Sequence, residues 1–133
     1  MQENNAEKIV PGISFSKKQG MIMIFRFTIQ ALSEPDYIRF LMNMEKGCLA
    51  VQACDKKTLD CFRVPAYDPK DWTFRIYSDM MQRMLWTRCG WEDEYTYRVS
   101  GVLHPEYSLV EFDLNAAERV AESQAAEDDG CDG

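Results

Sequence analysis

The sequence predicts an α+β fold, mainly antiparallel β-sheet with two short helices, built as two pseudo-repeated strand–helix–hairpin units. Three observations predict it. Short runs alternate apolar and polar residues, most cleanly at 95–100, where Tyr95, Tyr97 and Val99 alternate with Thr96, Arg98 and Ser100; period two marks a strand covered on one face. Turn residues separate the runs, with Gly20, Gly47, Pro65 and Gly90 falling between them. One order of elements, strand, short helix, hairpin, reads over 21–53 and again over 72–114. Two such units predict pseudo-twofold packing, because one unit cannot close its own sheet.

The elements follow in order. Residues 1–11 read as a flexible arm ending at the turn signal Pro11-Gly12, and residues 13–16 as a short strand. The polar turn 17–20 ends in Gly20, so residues 13–27 form a hairpin. Residues 21–25 are apolar throughout, which predicts cover on both faces. Residues 28–32 read as a short helix with Thr28 as N-cap and Pro35 blocking its continuation. In the strand 37–43, Ile38, Phe40 and Met42 share one face; a turn with Gly47 leads to a second strand with Leu49, Val51 and Ala53 on its apolar face. Residues 61–64 read as a further short strand and 65–71, with two prolines, as the linker between halves.

The second half opens with a strand at 72–76. Ser78 is an N-cap and Asp79 suits the positive end of the helix dipole. Met80, Met81, Met84 and Leu85 recur at helical spacing and predict a core stripe; Arg88 and Gly90 mark the end. After the strand 95–100, residues 101–105 bend the chain, and 107–114 form the last strand, with Val110, Phe112 and Leu114 on one face. Residues 12–114 thus predict a single globular domain with halves 12–64 and 72–114. Residues 115–133 predict an acidic, largely disordered tail with a weak helix at 115–126.

Charge and composition narrow the function classes. Of the net charge of −7, −5 sits in residues 115–133, which hold six acids against Arg119 alone. The body is nearly balanced, so no overall field draws it to nucleic acid, and any such contact needs a local basic patch. The polar, acidic start gives no signal peptide, and the apolar run 21–25 is far below membrane-spanning length. Five cysteines with no C-x-x-C pair are expected to be reduced, and a cytoplasmic location follows. Eight methionines and many aromatics give an adaptable interior.

The order of residues 20–53 resembles the AbrB-type swapped-hairpin domain of bacterial transition-state regulators and antitoxins. Gly20 and Ile24 match its first strand, and residues 36–51 match its hairpin. Met21, Phe25, Ile29 and Ser33 stand where DNA-binding members carry Arg, Pro, Arg and Gly. The resemblance implies a swapped-hairpin-like barrel and a transcriptional regulator that binds duplex DNA. It also implies that one chain supplies the two units its relatives obtain by dimerising, with a homodimer as the other arrangement.

No catalytic, cofactor or metal site is expected. His104, beside Pro105, reads as a turn histidine. Cys48, Cys54 and Cys61 are spaced too widely for a structural zinc site. Glu92, Asp93 and Glu94 read as a solvated turn, and no phosphate-binding glycine loop or zinc-protease motif occurs. Two non-enzymatic functions remain. The first is nucleic-acid binding, with Lys17, Lys18, Arg26 and Arg75 as contacts; Lys8 lies on the arm near them, and Lys56, Lys57 and Arg63 form a second basic group. The second is an acidic inhibitor or adaptor of the anti-defence kind carried by mobile genetic elements. There Trp91, Tyr95, Tyr97 and the acidic tail would contact a basic protein. A continuous basic face distinguishes the first, an exposed aromatic patch the second.

Overall fold

The longest strand, β7 (Tyr95–His104), organises the sheet. The computed structural model describes residues 10–55, 60–66, 68, 70 and 73–121. The order is β1 (Gly12–Ser16), β2 (Met21–Phe25), α1 (Arg26–Ala31), β3 (Tyr37–Asn43), β4 (Cys48–Ala53), β5 (Phe62–Arg63), β6 (Thr73–Ile76), α2 (Asp79–Cys89), β7, β8 (Leu109–Asp113) and β9 (Glu118–Ala121). Single 3-10 turns, Pro105–Tyr107 and Leu114–Ala116, flank β8. The first half of β7 pairs with β1 on one edge and β9 on the other, and its second half pairs with β8. All pairings are antiparallel, in the order β5-β3-β4-β8-β7-β1-β2-β6, and the sheet curls into a half-barrel.

Register fixes the core. Ile13 lies opposite Ile24 and Val99, and Phe15 opposite Ile22 and Tyr97. Val51 lies between Phe40 and Val110, and Leu49 between Met42 and Phe112. Ile13, Phe15, Ile22, Ile24, Leu49, Val51 and Phe112 are fully buried on the concave face, each contributing on the order of 1.5–3 kcal/mol. Alternation in β2 is clear, with Ile22 and Ile24 buried and Met21, Met23 and Phe25 only half-buried, so the strand is not covered equally on both faces.

Of the bend expected at 101–105, residues 101–104 are instead strand and the chain turns only from Pro105. Gly101 makes room beside β7 for side chains of its paired neighbour β8: a Cβ there would stand 2.5 Å from Val110 Cγ1 and 2.7 Å from Phe112 Cε1. Gly47 serves the β3–β4 turn at φ 74°, a region that side chains disfavour.

The helices differ most from expectation. α1 begins at Arg26, and Phe25 precedes it with no side-chain cap. Thr28 is not the cap; its buried hydroxyl accepts from the Gly12 amide (2.9 Å) and donates to the Gly12 carbonyl (2.8 Å). So short a helix needs such tertiary anchoring, because nucleation costs more than its few hydrogen bonds return. α2 starts as expected: Ser78 Oγ accepts from the Met81 amide and Gly90 ends it in the left-handed region. Its inward face is Met81, Gln82, Leu85 and Trp86, however, while Met80 is 66% and Met84 38% exposed. Gln82 Nε2 donates to the Ser16 carbonyl at 3.3 Å, and Arg88 donates to the carbonyls of Met44 and Glu45. α2 therefore straps the β1–β2 hairpin to the β3–β4 hairpin, and those anchors set its rotation.

Residues 118–121 add β9 to the sheet where a weak helix was expected; residues 122–133 lie outside the described residues, as does the arm 1–9. Cys54 and Cys61, expected as reduced thiols, are joined by a disulfide across Cα atoms 6.9 Å apart. No helix among the described residues is long and apolar enough to cross a membrane.

Candidate nucleic-acid interface

The convex face of β6-β2-β1-β7-β9 is exposed at its flanks, on β6, β7 and β9, while Ser14 and Ser16 of the central strand β1 are buried beneath their longer neighbours, each 2% exposed. Successive registers place Arg75, Met23, Ser14, Arg98 and Glu118 in one cross-strand row. A second row runs Met21, Ser16, Thr96 and Val120. Phe25 stands beside Gly12, whose missing side chain makes room for the ring; a Cβ there would lie 2.7 Å from it. The face exists because strand alternation sends Ile22, Ile24 and Phe74 inward, leaving Met21, Met23, Phe25 and Arg75 outward.

Arg75 and Arg98 are exposed and separated by three strand spacings, about 14 Å at ~4.8 Å each. The Arg98 guanidinium lies 5.5 Å from the centre of the Phe25 ring, a cation–π distance that orients it along the face. Exposed Lys18 sits in the β1–β2 turn at the end of this face. Lys17 is beside it and reaches Asp93 at 3.8 Å. A half-exposed pair of that length is worth little and leaves the cation available.

Arg26 is elsewhere. Its side chain is 6% exposed and donates to Glu34 Oε1 at 2.6 Å and to the Pro65 carbonyl at 3.3 Å. It ties α1 to the segment after β5 and is not on the convex face. Lys8, Lys56 and Lys57 lie outside the described residues. Arg98, which the sequence placed only as an outward strand residue, joins Arg75 because β1 and β2 insert between their strands; nothing local to either residue reports that.

The aromatic set is largely internal. Tyr97 is buried, and Trp91 stacks on it with centroids 4.5 Å apart and planes at 8°. Trp86 meets both edge-on, and Phe15 lies 5.5 Å from Trp91. Tyr97 Oη accepts from the Glu92 amide at 2.9 Å. Tyr95 is half-buried beneath the Arg119 guanidinium, 4.3 Å from its ring. These rings close the barrel end below α2 and do not form an open patch.

Among the described residues a cysteine–histidine nucleophile is not assembled. His104 Nε2 hydrogen-bonds Glu111 Oε1 at 2.9 Å. Glu111 also engages Cys48, whose thiol burial, the Glu111 hydrogen bond and nearby carboxylates push above its ordinary value. The carboxylate stands between the two, and the raised thiol is a poor nucleophile at neutral pH. Burial likewise raises Cys89. Among the described residues no group of three metal-ligating side chains converges.

Comparison of the chain with protein families, with curated proteins and with solved structures finds no match.

Proposed function

We propose that the protein is a non-enzymatic nucleic-acid-binding regulator that takes the phosphate backbone of duplex DNA on the convex face of β6-β2-β1-β7-β9. The observation that carries this is the row that sets the exposed Arg75 and Arg98 on one face of the sheet, either side of buried Ser14, with Lys17 and Lys18 at its end. Fork-shaped guanidinium groups on a rigid sheet suit bidentate phosphate contacts. Arg26 has no part in it, being committed to Glu34.

A reading of the chain as two related units is in keeping with the sheet order. β2 pairs with β6, and β4 with β8, both antiparallel. In each pair the strands hold equivalent places in the two halves, as a pseudo-twofold axis requires. An inhibitor working through Trp91, Tyr95 and Tyr97 is less well supported, since Tyr97 is buried and Trp91 is stacked on it.

The test is fluorescence anisotropy with a labelled random-sequence duplex across a salt series. Three to four phosphate contacts give a log–log salt slope of roughly −2.7 to −3.6. Arg75→Glu with Arg98→Glu removes binding, and Glu118→Gln, which removes the acid opposite Arg98, tightens it. Salt-independent binding, or binding untouched by the double substitution, refutes the proposal.

A further inference from the structure

Among the described residues, α2 leaves part of the concave face uncovered. Phe40 and Met42 lie on the core side of β3, opposite Val51 and Leu49, yet remain half-buried, and Phe62 of β5 packs edge-on against Phe40 with centroids 5.5 Å apart. Facing them across a groove of about 480 Å³ are Met80, Met81 and Met84. A second, shallower pocket that shares Met84 lies farther along α2, over Met44 and Thr87 and between Arg83 and Arg88. From Met80 to Arg88 this wall is about 12 Å long at ~1.5 Å per residue. Methionine side chains are flexible and polarisable, and a surface lined with them adapts to varied apolar partners.

Charge decides the occupant. Among the described residues Arg83 is exposed with no ion-pair partner, and Arg88 bonds to the backbone carbonyls of Met44 and Glu45. Two cations thus flank the Met44 and Met84 end of an apolar floor whose other end carries Asp60, and among the described residues no carboxylate is bonded to either cation. Residues 122–133 carry acids but no apolar side chain larger than Ala or Cys, so they cannot fill the floor. A second copy is a poor fit too, because α2, the long helix of the described residues, is itself the groove wall. We infer that this groove docks an amphipathic helix of a partner protein, its apolar stripe on Met42, Met80 and Met84 and an acidic flank along Arg83 and Arg88. The site is separate from the arginine face: α2 packs on the concave side of the sheet, and Arg75 and Arg98 stand on the convex side.

The experiment is a methyl-carbon NMR titration of the full chain labelled at methionine. The probes are two designed helical peptides of about 14 residues. Each carries leucines at i, i+3, i+4 and i+7; one has a glutamate flank and its twin a lysine flank. The glutamate peptide shifts the methyls of Met42, Met80 and Met84 and leaves Met21 and Met23 in place. The lysine twin binds about tenfold or more weakly. Arg83→Glu reverses that order, and Met80→Glu with Met84→Glu, both at exposed positions, abolishes the shifts while the remaining spectrum stays folded. Absence of shifts at millimolar peptide, or equal shifts with both peptides, overturns the inference. Methyl shifts that depend on protein concentration without peptide also overturn it, by making a second copy the occupant.

Discussion

Gly101→Ala tests the way β7 joins the two parts of the sheet. The new Cβ would lie 2.5 Å from Val110 Cγ1, 2.7 Å from Phe112 Cε1 and 3.0 Å from Phe112 Cδ1. Carbon atoms in contact prefer about 3.5–4.0 Å, so a methyl fits only if β8 moves about 1 Å away or both side chains leave their rotamers. Neither side chain has room, since Val110 and Phe112 are fully buried and Phe112 lies against Gly101 in the register. Overpacking of this kind costs about 1–3 kcal/mol. Alanine recovers about 0.4–1 kcal/mol by restricting the unfolded chain, because Gly101 is not at positive φ. The net loss is about 1–2 kcal/mol, or roughly 4–10 °C in a domain of this size. Thermal melting by circular dichroism reads it. An unchanged or raised melting temperature would refute the close approach of β7 and β8, and with it the unbroken strand from Tyr95 to His104.

The other predictions concern side chains whose surroundings depart from the sequence pattern. Met84→Asp leaves a cooperatively melting protein, whereas Leu85→Asp, at a fully buried position, unfolds it, because an unpaired buried carboxylate costs several kcal/mol; solubility and a melting curve for each variant decide. Arg26→Met lowers the melting temperature by breaking the bonds to Glu34 and Pro65 but leaves duplex affinity per folded molecule unchanged. Arg75→Met lowers duplex affinity per folded molecule, and a matched pair of melting and anisotropy measurements on the two variants separates the roles. Cys48 and Cys89 both titrate above the ordinary thiol value of 9.0 when folded. Their stabilisation is therefore full below pH 9 and is lost as pH rises through the folded values, because the unfolded chain gives up its thiol protons first. Urea midpoints measured between pH 8 and 11 should fall more steeply in the wild type than in a variant with both cysteines replaced by Ala.

Local pattern alone determined much of the framework. Period-two alternation placed Tyr97 and Val99, Val110 and Phe112, and Leu49 and Val51 on the faces they occupy, since a strand has only two sides and burial selects one. Gly20, Gly47 and Gly90 marked turns where the backbone takes positive φ. Ser78 marked the start of α2 because an N-cap acts within one turn of its own position. Questions about partners across the fold had no such local answer. The methionine stripe on α2 matched helical spacing, but Gln82 and Arg88 bond to carbonyls on two distant hairpins and turn the helix so that Trp86 points inward and Met84 outward. Arg26 and Arg75 look alike in sequence, each between apolar neighbours. α1 and the segment after β5 bury the first, while strand alternation on β6 exposes the second. Trp91 carries no strand or helix signal and finds its place only because β7 presents Tyr97 beneath it. The candidate interface belongs to this class: Arg75 and Arg98 are 23 positions apart in the chain. They share a face only because β1 and β2 lie between their strands, an arrangement set by hydrogen-bond register across the whole sheet.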